Sequence, residues 1–226
     1  MNLKHIYCGT APLNKNTKDL FEKKYSIPIY QNYGISETLF ISAEKKYSKL
    51  SNNLGLIFNG VDVTIGKLNN KKHGEFLIKS KNLFKGYFIN GKCKFINNKR
   101  FSTGDVGYIK NRKIYLSGRF KDIIIKNGIN ISARTIENVI LEMDIIFEVA
   151  AIGIEDKFCG ERIIVYYSLK NNINNKNIEK RIYSYCKKNL SIISFPDKVI
   201  YKDVLPKTVT GKIKKNNLIK DYTSEI

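Results

Sequence analysis

A small set of residues in this sequence has the type and setting for chemistry on a phosphorylated ligand. Lys212 closes the small-residue loop Lys207-Thr208-Val209-Thr210-Gly211-Lys212, which lets backbone approach a ligand and puts a cation at its tip. Glu37 follows the glycine Gly34 at the end of a β-like run, a setting that suits a carboxylate holding a phosphate-bound Mg²⁺. Tyr33, beside Gly34, offers an aromatic face on which a base could stack. Asp105, in the turn Ser102-Thr103-Gly104-Asp105, has the lone pairs to accept two ribose hydroxyl hydrogen bonds. Each residue also has a plainer reading: a solvated lysine among many, or a turn or cap residue. The lysine loop is not a P-loop, because the G-x-x-x-x-G-K-[ST] spacing is absent and no strand–loop–long-helix unit surrounds it.

Composition narrows the alternatives. The chain has 226 residues, enough for one large domain or two small ones, each with a real core. Forty Lys and Arg against twenty Asp and Glu give a formal net charge of +20. Such a balance can mark a nucleic-acid or anionic-membrane partner. Here the lysines lie scattered among Asn, Ile and Tyr along the whole length, with no basic stripe interleaved with aromatics, so compositional drift accounts for them. Cys8, Cys93, Cys159 and Cys186 are isolated, and His5 and His73 lie far apart, which argues against a zinc site and a disulfide framework. No apolar run is long enough for a membrane span, and Met1–Tyr7 has no secretory h-region, so the cytoplasm is the expected compartment.

The elements that must position these residues change in kind along the chain. Leu3–Cys8 reads as a strand, Asn14–Lys24 as a helix burying Leu20 and Phe21, and Ile27–Gly34 as a second strand. That is a piece of an open α/β sheet, with the candidate residues at strand ends. From about Asn53 short strands recur at Val61–Ile65, Gly74–Lys79, Lys85–Phe88, Tyr108–Ile109 and Lys113–Leu116, which predicts a small β-rich, barrel-like subdomain. Then Ile123–Ile125 leads to the turn Asn127-Gly128, and Ser132 reads as the N-cap of a helix over Ala133–Glu142. Strands at Phe147–Ile154 and Ile163–Leu169, an Asn/Lys loop at Lys170–Lys176, and a helix over Asn177–Leu190 complete an α+β pattern. A strand at Lys198–Tyr201 then feeds the lysine loop and a short terminal helix.

The motifs, in this order, resemble the adenylate-forming superfamily of acyl-CoA synthetases, peptide-synthetase adenylation domains and luciferases. Gly9-Thr10-Ala11-Pro12-Leu13 is similar to the family's Gly-Gly-Ala-Pro-Leu turn, and Tyr33-Gly34-Ile35-Ser36-Glu37-Thr38 to its Tyr-Gly-x-Thr-Glu motif, with Ser36 replacing Thr. Gly74-Glu75 through Gly86-Tyr87 resembles the Gly-Glu-Leu to Gly-Tyr segment. Ser102-Thr103-Gly104-Asp105 resembles the Thr-Gly-Asp motif, Gly118-Arg119-Phe120-Lys121-Asp122 the hinge, and Pro206-Lys207-Thr208-x-x-Gly211-Lys212-Ile213 the C-terminal lysine motif. Lys121–Gly128 and Leu205-Pro206-Lys207-Thr208 are closer to the acyl-CoA synthetase forms than to those of peptide synthetases.

The resemblance implies ATP, Mg²⁺ and CoA as cofactors, and a two-step reaction that forms an acyl-adenylate from a carboxylic acid and then an acyl thioester. It implies that Gly9, Thr10, Ala11, Tyr33, Gly34, Ser36, Asp105 and Arg119 bind nucleotide and that Glu37 binds the metal. Lys212 would be catalytic, Lys121 the hinge, and Gly128 the lining of the thiol channel. The expected architecture is mixed. Residues 1–118 would be the end of an adenylation domain (1–52 an α/β piece, 53–118 the barrel-like part), 119–122 a hinge, and 123–226 an α+β C-terminal domain. The family's Ser/Thr/Gly-rich phosphate loop has no counterpart here, so a truncated or split synthetase is expected, with a separate N-terminal chain as a partner. The alternatives are a nucleotide-binding module without turnover, a degenerate remnant, and an amino-acid-activating adenylation domain. Carboxylic acid and CoA, or a carrier-protein pantetheine, are the expected small partners; no nucleic acid and no membrane span are expected.

Overall fold

The computed structural model describes residues 3–9, 13, 15–45, 47–48, 52–66, 73–96, 99–170, 177–209 and 211–224. They fall into two units, Met1–Phe120 and Lys121–Ile226. The expected Asn/Lys loop lies mostly outside the described residues, as do Thr10 and Ala11. Among the described residues no helix is long and apolar enough to cross a membrane.

In the first unit, β1 (Ile6–Cys8) pairs in parallel with β2 (Ile29–Ile35), and α1 (Lys15–Tyr25) supplies the crossover that a parallel pair needs. The helix does not bury Leu20, which is 66% exposed. Lys18 is buried instead: its ammonium donates to the Ser48 carbonyl at 2.5 Å and sits 4.7 Å from the Tyr47 ring centre, so the aliphatic stem can be covered while the charge stays paired. Leu20 lies two residues on, about 200° around the helix, and so points the other way.

The remaining strands of this unit are β3 (Leu39–Ala43), β4 (Asn53–Ile57), β5 (Val61–Ile65), β6 (Gly74–Ser80), β7 (Gly86–Ile89), β8 (Lys92–Phe95), β9 (Phe101–Lys110) and β10 (Lys113–Arg119). Eight of the unit's strands form one sheet in the order β1-β2-β3-β4-β10-β9-β6-β5, and β7 and β8 form a separate ribbon. The barrel-like subdomain expected at 53–118 is therefore an open sheet, and it is continuous with the strands of the 1–52 stretch. Alternation and turn residues dictate that strands form, whereas closure depends on stagger and tilt, which no short-range pattern encodes. Ser102–Asp105 is not a free turn either, since it belongs to β9. The core of this unit joins Tyr33, Ile41, Leu54, Val63, Phe76, Ile78, Ile114 and Leu116.

The second unit opens with the hairpin β11 (Ile123–Lys126) and β12 (Ile129–Ser132), whose turn residues Asn127 and Gly128 both have positive φ, 51° and 75°. Then come α2 (Ala133–Leu141), β13 (Ile146–Asp156), β14 (Gly160–Leu169), α3 (Ile178–Asn189), β15 (Lys198–Tyr201) and α4 (Lys215–Ser224). Ser132 stands at the N-cap of α2 as expected, although its side chain makes no capping hydrogen bond. β14 lies at the centre, antiparallel to β11 and β13 and parallel to β15.

The period of two along β13 and β14 divides their side chains between two cores. Val149, Ala151, Ile163, Val165 and Tyr167 meet Ile136 and Ile140 of α2 and Ile178, Ile182 and Cys186 of α3. Ala150, Ile152, Ile154, Ile164 and Tyr166 face the other way, onto Leu218 and Tyr222 of α4. Covering both faces explains why these strands read as nearly continuous apolar runs. Each fully buried Ile contributes roughly 1.5–3 kcal/mol by area transfer.

Candidate functional site

Asp105 is the focus of the first unit. It is 5% exposed and sits directly across from Arg119 in the β9–β10 ladder. The Arg119 Nε–H donates to its Oδ1 at 3.1 Å, and the Tyr33 hydroxyl donates to its Oδ2 at 2.7 Å. The second contact crosses the sheet: β3, β4 and β10 separate β2 from β9 in strand order. On a flat sheet that is about 19 Å. The sheet must curl over its own core for the two side chains to touch, and the 6.1 Å approach of the Tyr33 and Phe76 rings lies inside that curl. Burial, and then the Asp105 charge, push the Tyr33 phenol well above its ordinary range, so it is held as a donor. Tyr33 is itself buried, with 7% of its surface exposed.

The segment bearing Asp105 is held from β6. Glu75 Oε1 accepts the Gly104 N–H at 2.8 Å and the Ser102 hydroxyl. Thr103 Oγ1 donates to the Phe76 carbonyl at 3.0 Å and accepts the Asp105 N–H at 3.1 Å.

Glu37 lies in the turn between β2 and β3. Its carboxylate accepts the Tyr87 hydroxyl at 3.0 Å and its carbonyl accepts the Phe84 N–H at 2.8 Å, so one short segment clasps it twice. Burial and the bond to Glu37 raise the Tyr87 phenol. Among the described residues no group of three or more His, Cys, Asp or Glu could hold a metal alone. A single accessible carboxylate still fits Mg²⁺, which commonly takes one or two protein oxygens and fills its shell with water and phosphate. Ser36, one residue earlier, is exposed; Gly34 is part of β2; Gly9 follows β1.

In the second unit Lys212 is exposed at the end of a tight loop. Thr208 N–H donates to the Lys212 carbonyl at 2.8 Å, Gly211 N–H to the Thr208 carbonyl at 2.9 Å, and Lys212 N–H to Thr208 Oγ1 at 3.1 Å. Just beyond it, Lys215 heads α4 and pairs with Glu137 at 2.7 Å and Asp122 at 3.9 Å. Lys121, the first residue of this unit, is exposed. The backbone requires a glycine at Gly128, where φ is +75°; an added Cβ would meet nothing within 4 Å.

The structure thus joins Tyr33, Asp105 and Arg119 directly, and fastens Glu37 to Tyr87. Sequence reasoning gave no role to Glu75, Tyr87, Asp122 or Lys215. The first two stood in plain sight in the Gly74-Glu75 and Gly86-Tyr87 segments; nothing local distinguished the other two.

Comparison with known proteins identifies the family. The model of the AMP-binding enzyme family matches residues 1–88, and that of the AMP-binding enzyme C-terminal domain matches residues 135–212. A probable acyl-activating enzyme 22 of Arabidopsis thaliana is 30% identical over 95% of this chain and 46% of its own length. A 2-succinylbenzoate–CoA ligase of Staphylococcus epidermidis is 30% identical over 99% of this chain and 48% of its own length. The chain therefore spans about half the length of the curated relatives it matches. Among solved structures, ATP-bound MatB from Rhodopseudomonas palustris superposes with a TM-score of 0.83 at 27% identity, over 96% of this chain and 45% of MatB. An anthranilate CoA ligase, AuaEII, in complex with anthranoyl-AMP shares the fold, with a TM-score of 0.86 at 18% identity over 99% of this chain and 46% of its own. With both family models matched, in chain order, the chain belongs to the AMP-binding, adenylate-forming enzyme family.

Proposed function

We propose that the chain serves an ATP-dependent acid–thiol ligase of the acyl-CoA synthetase kind. A carboxylate would attack the α-phosphate of ATP, releasing pyrophosphate and giving an acyl-adenylate. A thiol, that of CoA or of a carrier-protein pantetheine, would then displace AMP. The observation that carries the reading is the Tyr33–Asp105–Arg119 linkage, in which three separate motifs converge on one buried carboxylate. A carboxylate has about four lone-pair sites, so Asp105 can keep both protein partners and still accept two ribose hydroxyls.

In this reading Arg119 flanks the ribose, and Tyr33 meets the base while its hydroxyl holds Asp105. Gly9, Thr10, Ala11, Gly34 and Ser36 line the nucleotide. Glu37 would hold Mg²⁺, which supplies neutralising charge at the phosphates when bound. Lys212 would neutralise the charge that develops between the attacking carboxylate and the α-phosphate. Lys121 would be the pivot between the two half-reactions, a reading supported by the division of the chain between Phe120 and Lys121. Gly128 would line the thiol path. Contacts to the β- and γ-phosphates, and much of the acid pocket, would come from the remaining half of the relatives' length, in a separate N-terminal chain if the synthetase is split.

The test is nucleotide binding by titration calorimetry. The chain binds AMP, and Asp105→Ala weakens binding at least about tenfold, the loss expected on removing a charged hydrogen-bond partner. Absence of AMP binding by the unaltered chain overturns the reading. ATP–pyrophosphate exchange that depends on Lys212 separates a ligase from a nucleotide-binding module without turnover.

A further inference from the structure

The Gly74-Glu75 segment is left without a task by the ligase reading, yet it makes the contacts that shape β9 at Asp105. Register between β6 and β9 runs Glu75↔Val106 and then Leu77↔Ser102. Between those pairs, Thr103, Gly104 and Asp105 of β9 oppose Phe76 alone, so the strand bulges where the functional carboxylate stands. A bulge breaks the ladder and leaves backbone groups in need of partners. Glu75 Oε1 takes the Gly104 N–H at 2.8 Å together with the Ser102 hydroxyl, and Thr103 Oγ1 takes the Asp105 N–H at 3.1 Å. Gly104 has φ +72° with open space beside it, so the backbone itself takes an unusual turn there.

We propose that Glu75 is a positioning residue for Asp105: by bonding the Gly104 N–H and the Ser102 hydroxyl it sets the bulge that aims the Asp105 carboxylate at the ribose hydroxyls. The proposal rests on the reading of Asp105 as the ribose ligand. It separates two jobs within one short segment. Tyr33 and Arg119 hold the carboxylate oxygens, and Glu75 and Thr103 hold the main chain that carries them.

The test compares AMP with 2′,3′-dideoxy-AMP, which lacks the hydroxyls. The unaltered chain prefers AMP by about 100-fold or more, the discrimination that two hydrogen bonds to a charged acceptor supply. Glu75→Ala collapses that preference to about threefold while dideoxy-AMP binding stays unchanged. Glu75→Gln retains most of the preference, because its amide oxygen still accepts the Gly104 N–H. If Glu75→Ala does not fold, Thr103→Val removes the acceptor of the Asp105 N–H and gives the same collapse. Equal losses for both nucleotides, or an undiminished preference, overturn the proposal and leave the ligase reading standing. An unaltered chain that binds AMP and dideoxy-AMP equally removes Asp105 from the ribose, and the proposal with it.

Discussion

Replacing Tyr33 with Phe removes one hydroxyl and leaves the ring's packing against Phe76 in place. Two effects add. A hydrogen bond to a charged partner is lost, and Oδ2 of a carboxylate that is only 5% exposed loses a protein donor. A charged hydrogen bond contributes about 1.5–3 kcal/mol. Arg119 still holds the other oxygen, so the expected loss is near the lower end, about 2 kcal/mol. For a unit of this size that lowers the unfolding midpoint by roughly 8 °C. Denaturant titrations of the four members of a Tyr33→Phe, Asp105→Asn cycle measure the coupling directly.

The pH dependence has a defined sign. The folded-state pKa of Tyr33 lies above its unfolded value, so its contribution is fully present below about pH 10, the ordinary phenol value. It is lost as pH rises from there towards the folded-state value. Tyr33→Phe therefore has a shallower alkaline limb than the unaltered chain. A loss under about 0.5 kcal/mol, additive single and double variants, or parallel alkaline limbs would refute the account of Asp105.

Lys215 is 19% exposed at the side chain and pairs with both Glu137 and Asp122. Lys215→Met should cost about 1–2 kcal/mol and speed amide exchange in α4, with Lys215→Arg restoring most of it; unchanged exchange in α4 speaks against the bridge. Tyr87→Phe frees the Glu37 carboxylate, and the Mg²⁺ concentration for half-maximal ATP binding should rise roughly tenfold. An unchanged Mg²⁺ dependence disposes of that link. Thiol labelling should begin at exposed Cys93 and reach Cys186 only on unfolding, because Cys186 is buried in the second unit's core and burial pushes its thiol up to about 11. Labelling of Cys186 in the folded chain at a rate near that of Cys93 contradicts the packing of α3.

Legibility in the sequence followed the range of the interaction. Asn127-Gly128 announced the β11–β12 hairpin because a type of turn is written in adjacent residues. The Asn90-Gly91 pair carries the same signal between β7 and β8, with φ 49° and 77°. Ser132 marked the start of α2 because an N-cap residue stands next to the helix it opens. Lys18 could not be read that way: its burial depends on Tyr47 and Ser48, far along the chain. β3 was missed because Leu39–Ala43 follows the Glu37 turn with no Gly or Pro to set it off, and its first residue already has φ +58°. The candidate residues themselves were legible as motifs. Their joining was not, since Tyr33 and Asp105 meet only through the curl of a whole sheet.

That sheet also has a consequence for synthesis. β10 lies between β4 and β9, yet it is the last strand of its unit to leave the ribosome. Until Lys113–Arg119 emerges, β4 presents an unpaired edge and the two parts of the sheet have no common strand. Long-range pairing of this kind is slow and exposes the nascent chain to wrong partners. The strand that ends in Arg119 therefore joins the sheet and delivers the last partner of Asp105 in one late event, so a ribosome paused before residue 113 would carry a sheet still in two parts.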